Sequence, residues 1–185
     1  NYTIADDLDF VHFTSNNTIY GTQFKTIPQT KHPLVCDMSS DIFSKEIDVA
    51  AYDLIYAGAQ KNLGPAGATL YIVKDDALGK SSADFMPTYL DLKQHVEKES
   101  MLNTPPVFSV YVAMLNLRHL IANGGVQAQE QKNEAKAKLL YDAIDQLDAF
   151  KGSVATEDRS LMNVTFALTD ESRTAEFDAL WKGAD

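Results

Sequence analysis

A lysine follows a short apolar run and is surrounded by small residues. The run at residues 54–57 leads through two small residues and Gln60 to Lys61, and Gly64 and Gly67 come next. A lysine joined covalently to a planar cofactor needs small neighbours, because the ring and its phosphate must approach the backbone closely. From spacing alone, a glycine-rich turn with an ordinary surface lysine is the favoured interpretation. A phosphate-binding loop is disfavoured, because this lysine precedes its glycines whereas the lysine of Gly-x-x-x-x-Gly-Lys-Ser/Thr follows them.

An aspartate ends a second apolar run. Residues 34–36 are apolar and lead directly into Asp37. In an enzyme that uses pyridoxal phosphate, a buried carboxylate pairs with the pyridine nitrogen and keeps it protonated, so that the ring accepts electrons when the substrate Cα loses its proton. The competing interpretation is that Asp37 caps a following helix, with the polar side chains of residues 39–41. The presence of an aspartate and of Lys61 at the ends of adjacent strands favours the interpretation as a cofactor site over that as a helix cap.

A third candidate segment is Asn103-Thr104-Pro105-Pro106. An amide and a hydroxyl directly before a helix suit an anion such as a phosphate. An ordinary helix N-cap explains the same residues, and without other context it is the favoured interpretation.

The elements that position these residues read as an α/β pattern. Apolar runs at 10–14, 34–36, 54–57 and 68–73 predict strands, and their continuity suits burial on both faces of a sheet. Pro105-Pro106 starts a helix with apolar residues nearly all round, which predicts that it is largely buried. Asn123-Gly124-Gly125 ends that helix.

The later part of the chain predicts two further helices and a strand. A helix at about 126–150 has a predicted buried stripe formed by Leu139, Leu140, Ala143, Ile144 and Leu147. Residues 161–168 alternate like a strand, and 174–181 look helical. We place a domain boundary near residue 124, which predicts domains at 1–124 and 125–185. Because the last strand and helix lack partners to bury their apolar faces, the chain is expected to be truncated.

Together these segments resemble the phosphoserine aminotransferases, which are fold-type I pyridoxal-phosphate enzymes. The strings that carry the resemblance are Gly-Ala-Gln-Lys-Asn at 58–62, Gly-Pro-Ala-Gly at 64–67 and Asn-Thr-Pro-Pro at 103–106, and the match runs over nearly the whole chain. Glu46 stands where the family commonly has proline. The resemblance implies part of a large domain with a mixed, mostly parallel sheet flanked by helices, followed by the start of a small α/β C-terminal domain.

The resemblance also implies roles for six residues. Lys61 would bind pyridoxal 5'-phosphate covalently, Asp37 would pair with the ring nitrogen, and Thr18 and Gln60 would contact the cofactor. Asn103 and Thr104 would reach across a homodimer interface to the phosphate in the neighbouring subunit.

The implied reaction is amino transfer from L-glutamate to 3-phosphohydroxypyruvate in serine biosynthesis, in the cytoplasm. The amine of Lys61 should be partly desolvated, which favours its neutral, nucleophilic form. The His-Arg motifs with which the family holds its substrate match none of the three arginines in the chain, namely Arg118, Arg159 and Arg173. We therefore expect the isolated chain to turn over poorly or not at all.

Composition excludes other classes of function. The net charge of −10 and pI of about 4.7 oppose binding to nucleic acid, and no apolar run is long enough to predict a membrane span. The single cysteine, Cys36, suits a reducing compartment, and the four histidines lack the spacing of metal ligands. The remaining alternatives are a cysteine desulfurase, an alanine–glyoxylate aminotransferase, or a dimerising module without catalysis.

Overall fold

The structure is a computed structural model that describes residues 2–80 and 85–183. Within them the strands are β1 (Val11–Thr14), β2 (Asn16–Asn17), β3 (Thr22–Gln23), β4 (Leu34–Asp37), β5 (Leu54–Gly58), β6 (Thr69–Val73), β7 (Phe150–Gly152) and β8 (Phe166–Leu168). The α-helices are α1 (Leu92–Glu97), α2 (Val107–Ala122), α3 (Gly125–Gln146) and α4 (Thr174–Lys182). None of these helices is both long and apolar enough to span a bilayer.

The chain packs as two compact units. The first comprises the residues up to Ser15 together with Thr26–Gln129, and the second comprises Asn16–Lys25 together with the residues from Glu130 onward. A ten-residue excursion from the early part of the chain therefore folds with its last third. The domains 1–124 and 125–185 stay a prediction.

A mixed four-stranded sheet in the order β1-β4-β5-β6 forms the centre of the first unit. β1, β4 and β5 run parallel, and β6 pairs antiparallel to β5. All four predicted strands are confirmed to within about two residues at each end. Because the three parallel strands end at one edge, the side chains that follow them are brought together there.

Only one face of this sheet is buried, so the prediction of burial on both faces is wrong. Inward residues of β4 and β5, such as Cys36 and Ile55, are at most 3% exposed and join a core with Met38, Ile42 and Leu63. Their outward neighbours along each strand are half-buried or exposed. The continuous apolar runs hid this alternation, because outward positions such as Val35 and Leu54 are apolar as well.

Helix α2 begins and ends where the sequence predicts, but it is not largely buried. Among its residues only Ser109 and Ala113 are buried, whereas Val107, Phe108 and Ile121 are each about 70% exposed. The inner side of α2 packs through Ser109, Ala113 and the half-buried Leu117, whereas its outer apolar residues have no cover in the described chain. After Ala122 the backbone turns through Gly124 and Gly125, both with positive φ, which glycine adopts without strain.

The second unit contains the hairpin of β2 and β3, the antiparallel pair of β7 and β8, most of α3, and α4. The buried residues of α3 are Asn133, Ala137, Tyr141 and Ile144. The predicted stripe is therefore mostly wrong, since Leu139, Leu140 and Leu147 are exposed. The buried face of α3 includes Asn133 and Tyr141, and not the leucines that the apolar pattern predicted.

Hydrogen bonds join the hairpin to the rest of the second unit. The hydroxyl of Ser160 donates to the Asn16 side chain, which donates to Asn163 Oδ1 at 2.8 Å, and Tyr141 Oη donates to the Ser160 carbonyl at 2.9 Å. Because the backbone from 160 to 165 bonds to this hairpin through side chains, only Phe166–Leu168 of the strand predicted at 161–168 is regular.

Candidate functional site

Asp37 and Lys61 follow neighbouring parallel strands at the same edge of the sheet. Asp37 is the last residue of β4, and Lys61 comes three residues after Gly58, the last residue of β5. Ser39 ties the two strand ends together. Its hydroxyl donates to Asp37 Oδ1 at 2.6 Å and accepts from the Gly58 amide at 2.9 Å. The sequence-predicted pair therefore lies on one hydrogen-bonded edge.

The carboxylate of Asp37 is half-buried and held by its own loop. The Ser39 amide donates to the same Oδ1 at 2.8 Å, which closes a tight turn. The residues after it continue as turns, so the interpretation of Asp37 as the cap of a helix is wrong. Two donors from one residue therefore fix the position of the carboxylate.

Lys61 lies in a turn whose backbone is hydrogen-bonded beneath it. The Ala59 carbonyl accepts from the amides of Leu63 at 3.3 Å and Gly64 at 2.7 Å. The Lys61 side chain is exposed, and no hydrogen-bond or ion-pair partner for its ammonium occurs among residues 2–80 and 85–183. The expected partial desolvation of Lys61 is absent from this chain, because no described element covers it.

Two side chains of helix α2 donate hydrogen bonds to the turn that carries Lys61. Asn116 Nδ2 donates to the Leu63 carbonyl at 2.8 Å, and Ser109 Oγ donates to the Ala66 carbonyl at 2.6 Å. A Cβ on Gly67, whose φ is +117°, would lie only 2.9 Å from Ser109 Oγ. Both the positive φ of Gly67 and its close packing against α2 therefore disfavour a larger residue at this position.

The four other predicted cofactor-binding residues occupy different surroundings. Gln60 is exposed, and its amide lies over Gly58, 2.8 Å from where a Cβ would be. Asn103 and Thr104 are exposed shortly before α2, and Asn103 Nδ2 donates to the Thr104 carbonyl at 3.2 Å. Thr18 is half-buried in the β2–β3 turn of the second unit. Their contacts with a cofactor stay predictions.

Two residues that the sequence argument did not single out lie on the outward face of the strands that flank β4. Tyr56 lies directly opposite Asp37 in the register of β5 with β4. His12 Nε2 on β1 lies 3.0 Å from the Tyr56 hydroxyl. The sequence signal that could have identified them is the presence of a histidine and a tyrosine within otherwise apolar strands.

The electrostatics around Tyr56 follow from these contacts. Burial and, after it, the charge of Asp37 raise the pKa of Tyr56. The phenol is therefore neutral over the physiological range and keeps a proton to donate. No group of three or more His, Cys, Asp or Glu side chains able to hold a metal occurs in the described part of the chain.

Comparison with known proteins assigns the chain to a family. Residues 1–178 match the model for the class-V aminotransferases. The chain belongs to that family. It is 56% identical to a phosphoserine aminotransferase from Flavobacterium johnsoniae over 99% of this chain and 51% of the relative, and 54% identical to one from Parabacteroides distasonis over 95% and 49%. This class-V aminotransferase chain thus spans about half the length of the curated relatives it matches.

Solved structures give the same family likeness. Phosphoserine aminotransferase from Bacillus circulans subsp. alkalophilus superposes with a TM-score of 0.92 at 41% identity, over 98% of this chain and 50% of that one. The pyridoxal-phosphate-bound enzyme from Trichomonas vaginalis superposes with a TM-score of 0.89 at 34% identity, over the same shares. The predicted fold class, α/β with the mixed sheet of the fold-type I aminotransferases, and the resemblance to phosphoserine aminotransferases are confirmed.

Proposed function

We propose that the protein carrying this sequence catalyses pyridoxal-phosphate-dependent amino transfer from L-glutamate to 3-phosphohydroxypyruvate, giving 3-phosphoserine and 2-oxoglutarate. The observation that carries the proposal is that two neighbouring parallel strands lead into a fixed carboxylate, Asp37, and into an amine, Lys61, that has no partner among the described residues. That the relatives named above are phosphoserine aminotransferases supports the choice of substrates.

The chemistry of these residues fits pyridoxal phosphate. Asp37 could pair with a protonated pyridine nitrogen. The exposed Lys61 amine would be available to the cofactor aldehyde, because no described side chain binds that amine. Pyridoxal phosphate, when bound, supplies an electron sink for the pair left at the substrate Cα.

Lys61 has two tasks in this proposal. Its amine would hold the cofactor covalently when no substrate is bound. Once free, the same amine would act as a general base for the proton on the glutamate Cα. Asp37, which the two donors of Ser39 hold in place, would orient the cofactor ring through its nitrogen.

The remaining predicted residues would bind the cofactor phosphate and ring. We propose that Gln60 and Thr18 contact the cofactor of their own subunit, and that Asn103 and Thr104 contact the phosphate of a partner in a cytoplasmic homodimer. Exposure of both side chains just before α2, together with the exposed apolar residues of α2, supports this arrangement. Analytical ultracentrifugation tests it, and a monomer that still binds the cofactor fully would refute the shared site.

The anionic groups of the substrates require cations. Arg159 already forms a bidentate ion pair with Asp145 at 2.6 and 2.7 Å, and Arg173 pairs with Glu176 at 3.2 Å. Both arginines are therefore already paired with carboxylates of the second unit and are not free to bind a substrate anion. We therefore keep the prediction that the 185-residue chain alone transaminates poorly, and a steady turnover by it would contradict this.

Borohydride reduction with pyridoxal phosphate, followed by peptide mass spectrometry, tests the proposal directly. The adduct should fall on Lys61 and disappear in Lys61→Ala. Lys98→Ala, which removes an exposed lysine of the same unit, is the matched control and should leave the adduct unchanged. An adduct spread over surface lysines would refute the assignment. Comparing amino acceptors then separates a phosphoserine aminotransferase from an alanine–glyoxylate aminotransferase or a cysteine desulfurase.

A further inference from the structure

The segment that carries Lys61 is hydrogen-bonded at both of its ends to the loop that follows β4. At the start of the segment, the Gly58 amide donates to Ser39 Oγ at 2.9 Å. At its end, Asn62 Nδ2 donates to the Ile42 carbonyl at 2.6 Å. Lys61 therefore lies between two hydrogen bonds that join its own turn to this loop.

The carbonyl that Asn62 reaches belongs to a fixed part of the loop. The Ile42 side chain is 2% exposed in the core, and the Ile42 amide donates to the Met38 carbonyl at 2.8 Å. Phe43, which comes next, has a φ of 60°, an uncommon value for a residue with a side chain that the surrounding packing must maintain. The same loop supplies both donors that hold Asp37. Asn62 thus bonds to a loop whose position relative to Asp37 is set.

A rigid cofactor makes the separation of the two strand ends important. In pyridoxal phosphate the aldehyde is attached across the ring from the pyridine nitrogen, so an amine and a carboxylate that engage these two groups must stay a fixed distance apart. The Lys61 side chain has no partner among residues 2–80 and 85–183, so its backbone alone restricts where the amine can lie. A misplacement of reacting groups by about 1 Å can slow a reaction about a hundredfold.

We propose that Asn62 is a positioning residue for Lys61, which it holds at a set distance from the carboxylate of Asp37. Its bond to the Ile42 carbonyl keeps the amine and the carboxylate where they engage the aldehyde and the ring nitrogen of one bound pyridoxal phosphate. The inference rests on the proposed function, which assigns the amine and the carboxylate to those two groups. Asn62 acts only through the turn and needs no contact with cofactor or substrate.

Helix α2 supplies a matched control. Asn116 Nδ2 donates to the Leu63 carbonyl at 2.8 Å, so it makes the same kind of partly buried bond, to the residue next to Asn62. The bond from Asn116 joins the turn to α2 and not to the loop after β4. Asn62→Ala and Asn116→Ala should therefore lower the free energy of unfolding in urea by similar amounts, but only Asn62→Ala should change the placement of the amine.

The experiment uses the protein expressed at its full natural length, freed of cofactor and mixed with pyridoxal phosphate in a stopped-flow spectrometer. The Lys61 amine forms a C=N bond to the aldehyde carbon, the aldehyde oxygen leaves as water, and the visible absorption follows this reaction. At increasing cofactor concentration, the limiting rate reports the reaction within the complex, and the half-saturating concentration reports cofactor binding.

The two variants should differ in the limiting rate. Asn62→Ala should lower it about tenfold or more, with a change of less than about twofold in the half-saturating concentration. Asn116→Ala should change neither quantity by more than about twofold, although it costs similar stability. Borohydride reduction and peptide mass spectrometry verify that the bond forms at Lys61 in each protein.

A second substitution separates the lost hydrogen bond from the lost side-chain volume. Asn62→Leu keeps a branched side chain of similar size but has no N–H to donate, so it should slow the reaction as Asn62→Ala does. It gives the same readout should Asn62→Ala not fold. Equal slowing by Asn116→Ala would show that Asn62 only stabilises the turn and would overturn the inference. An unchanged limiting rate in both Asn62 variants would overturn it as well.

The failure of the proposed function has a different signature. A parent protein that carries no cofactor on Lys61 after borohydride reduction would overturn the proposed function and this inference together. A parent with the Lys61 adduct, whose limiting rate equals that of Asn62→Ala, would overturn this inference alone.

Discussion

The two faces of the four-stranded sheet divide stability from chemistry. On one face Leu34, Cys36, Ile55 and Ala57 are at most 3% exposed and form the core of the first unit. On the other face of the same strands, Asp37 and its polar neighbours are half-buried or exposed and are joined by hydrogen bonds. Because successive side chains alternate between faces, one strand serves both purposes with adjacent residues. Substitutions on the two faces should therefore have separable effects.

The largest effect on stability should come from the buried face. Ile55→Ala removes apolar volume from a side chain that is 1% exposed, and it should lower the free energy of unfolding by about 2–5 kcal/mol. Urea denaturation measures it. Tyr71→Ala on the outward face, where the side chain is 49% exposed, is the comparison and should cost clearly less. Equal losses would show that the outward face also supports the fold.

Substitution of Asp37 should lower activity and leave stability nearly unchanged. Asp37→Asn keeps an oxygen that can accept from the Ser39 amide, so the free energy of unfolding should change little. Loss of the charge should lower the rate of amino transfer by about a hundredfold or more, while Lys61 still forms the borohydride-trapped adduct. Kinetics of the full-length protein and peptide mass spectrometry provide the two readouts. A variant that transaminates normally would remove Asp37 from the proposed site.

Alkaline pH should lower the free energy of unfolding through ionisable groups on the buried face. Burial, with the charge of Asp41 adding to it, raises the pKa of the Cys36 thiol to about 12. The unfolded thiol titrates near pH 8.5, so the stabilisation from Cys36 is complete below that pH and declines by up to about 1.4 kcal/mol per pH unit above it. Urea denaturation between pH 8 and 10 measures the slope.

Cys36→Ala is the control for this pH effect and should flatten the slope over that range. Tyr52, whose pKa burial also raises to about 12, should contribute only above about pH 10. An unchanged slope in Cys36→Ala would show that other groups cause the alkaline loss.

The smallest effect on the chain itself should come from the outer surface of α2. Phe108 is 72% exposed, so Phe108→Ala should change the free energy of unfolding of a monomer by less than about 0.5 kcal/mol. If the proposed homodimer uses this surface, the same substitution should weaken self-association in sedimentation equilibrium. Arg118→Ala, at an exposed polar position of α2, is the control. No change in association for Phe108→Ala would exclude Phe108 from the interface.

The sequence predicted the strands and the edge of the sheet well, for a local reason. Short apolar runs bounded by polar or glycine residues are strands in this chain, and parallel pairing of β4 with β5 brings Asp37 and Lys61 to one edge. The sequence predicted burial poorly. The exposed face of α2 and several outward positions of the sheet, such as Val35 and Leu54, are as apolar as buried ones. Nothing in the local sequence distinguishes an apolar surface that another element covers from one that is exposed.

By itself the sequence determined where strands and helices lie, which residues end the strands, and the likeness to phosphoserine aminotransferases, because these depend on neighbouring residues and on specific strings. Only the tertiary structure decided that Asn16–Lys25 folds with the second unit, that Gly67 must be small for Ser109, and that His12 lies within hydrogen-bond distance of Tyr56. Those contacts join residues that are far apart in the chain. They exist only after strand pairing and helix packing have set the distances between them.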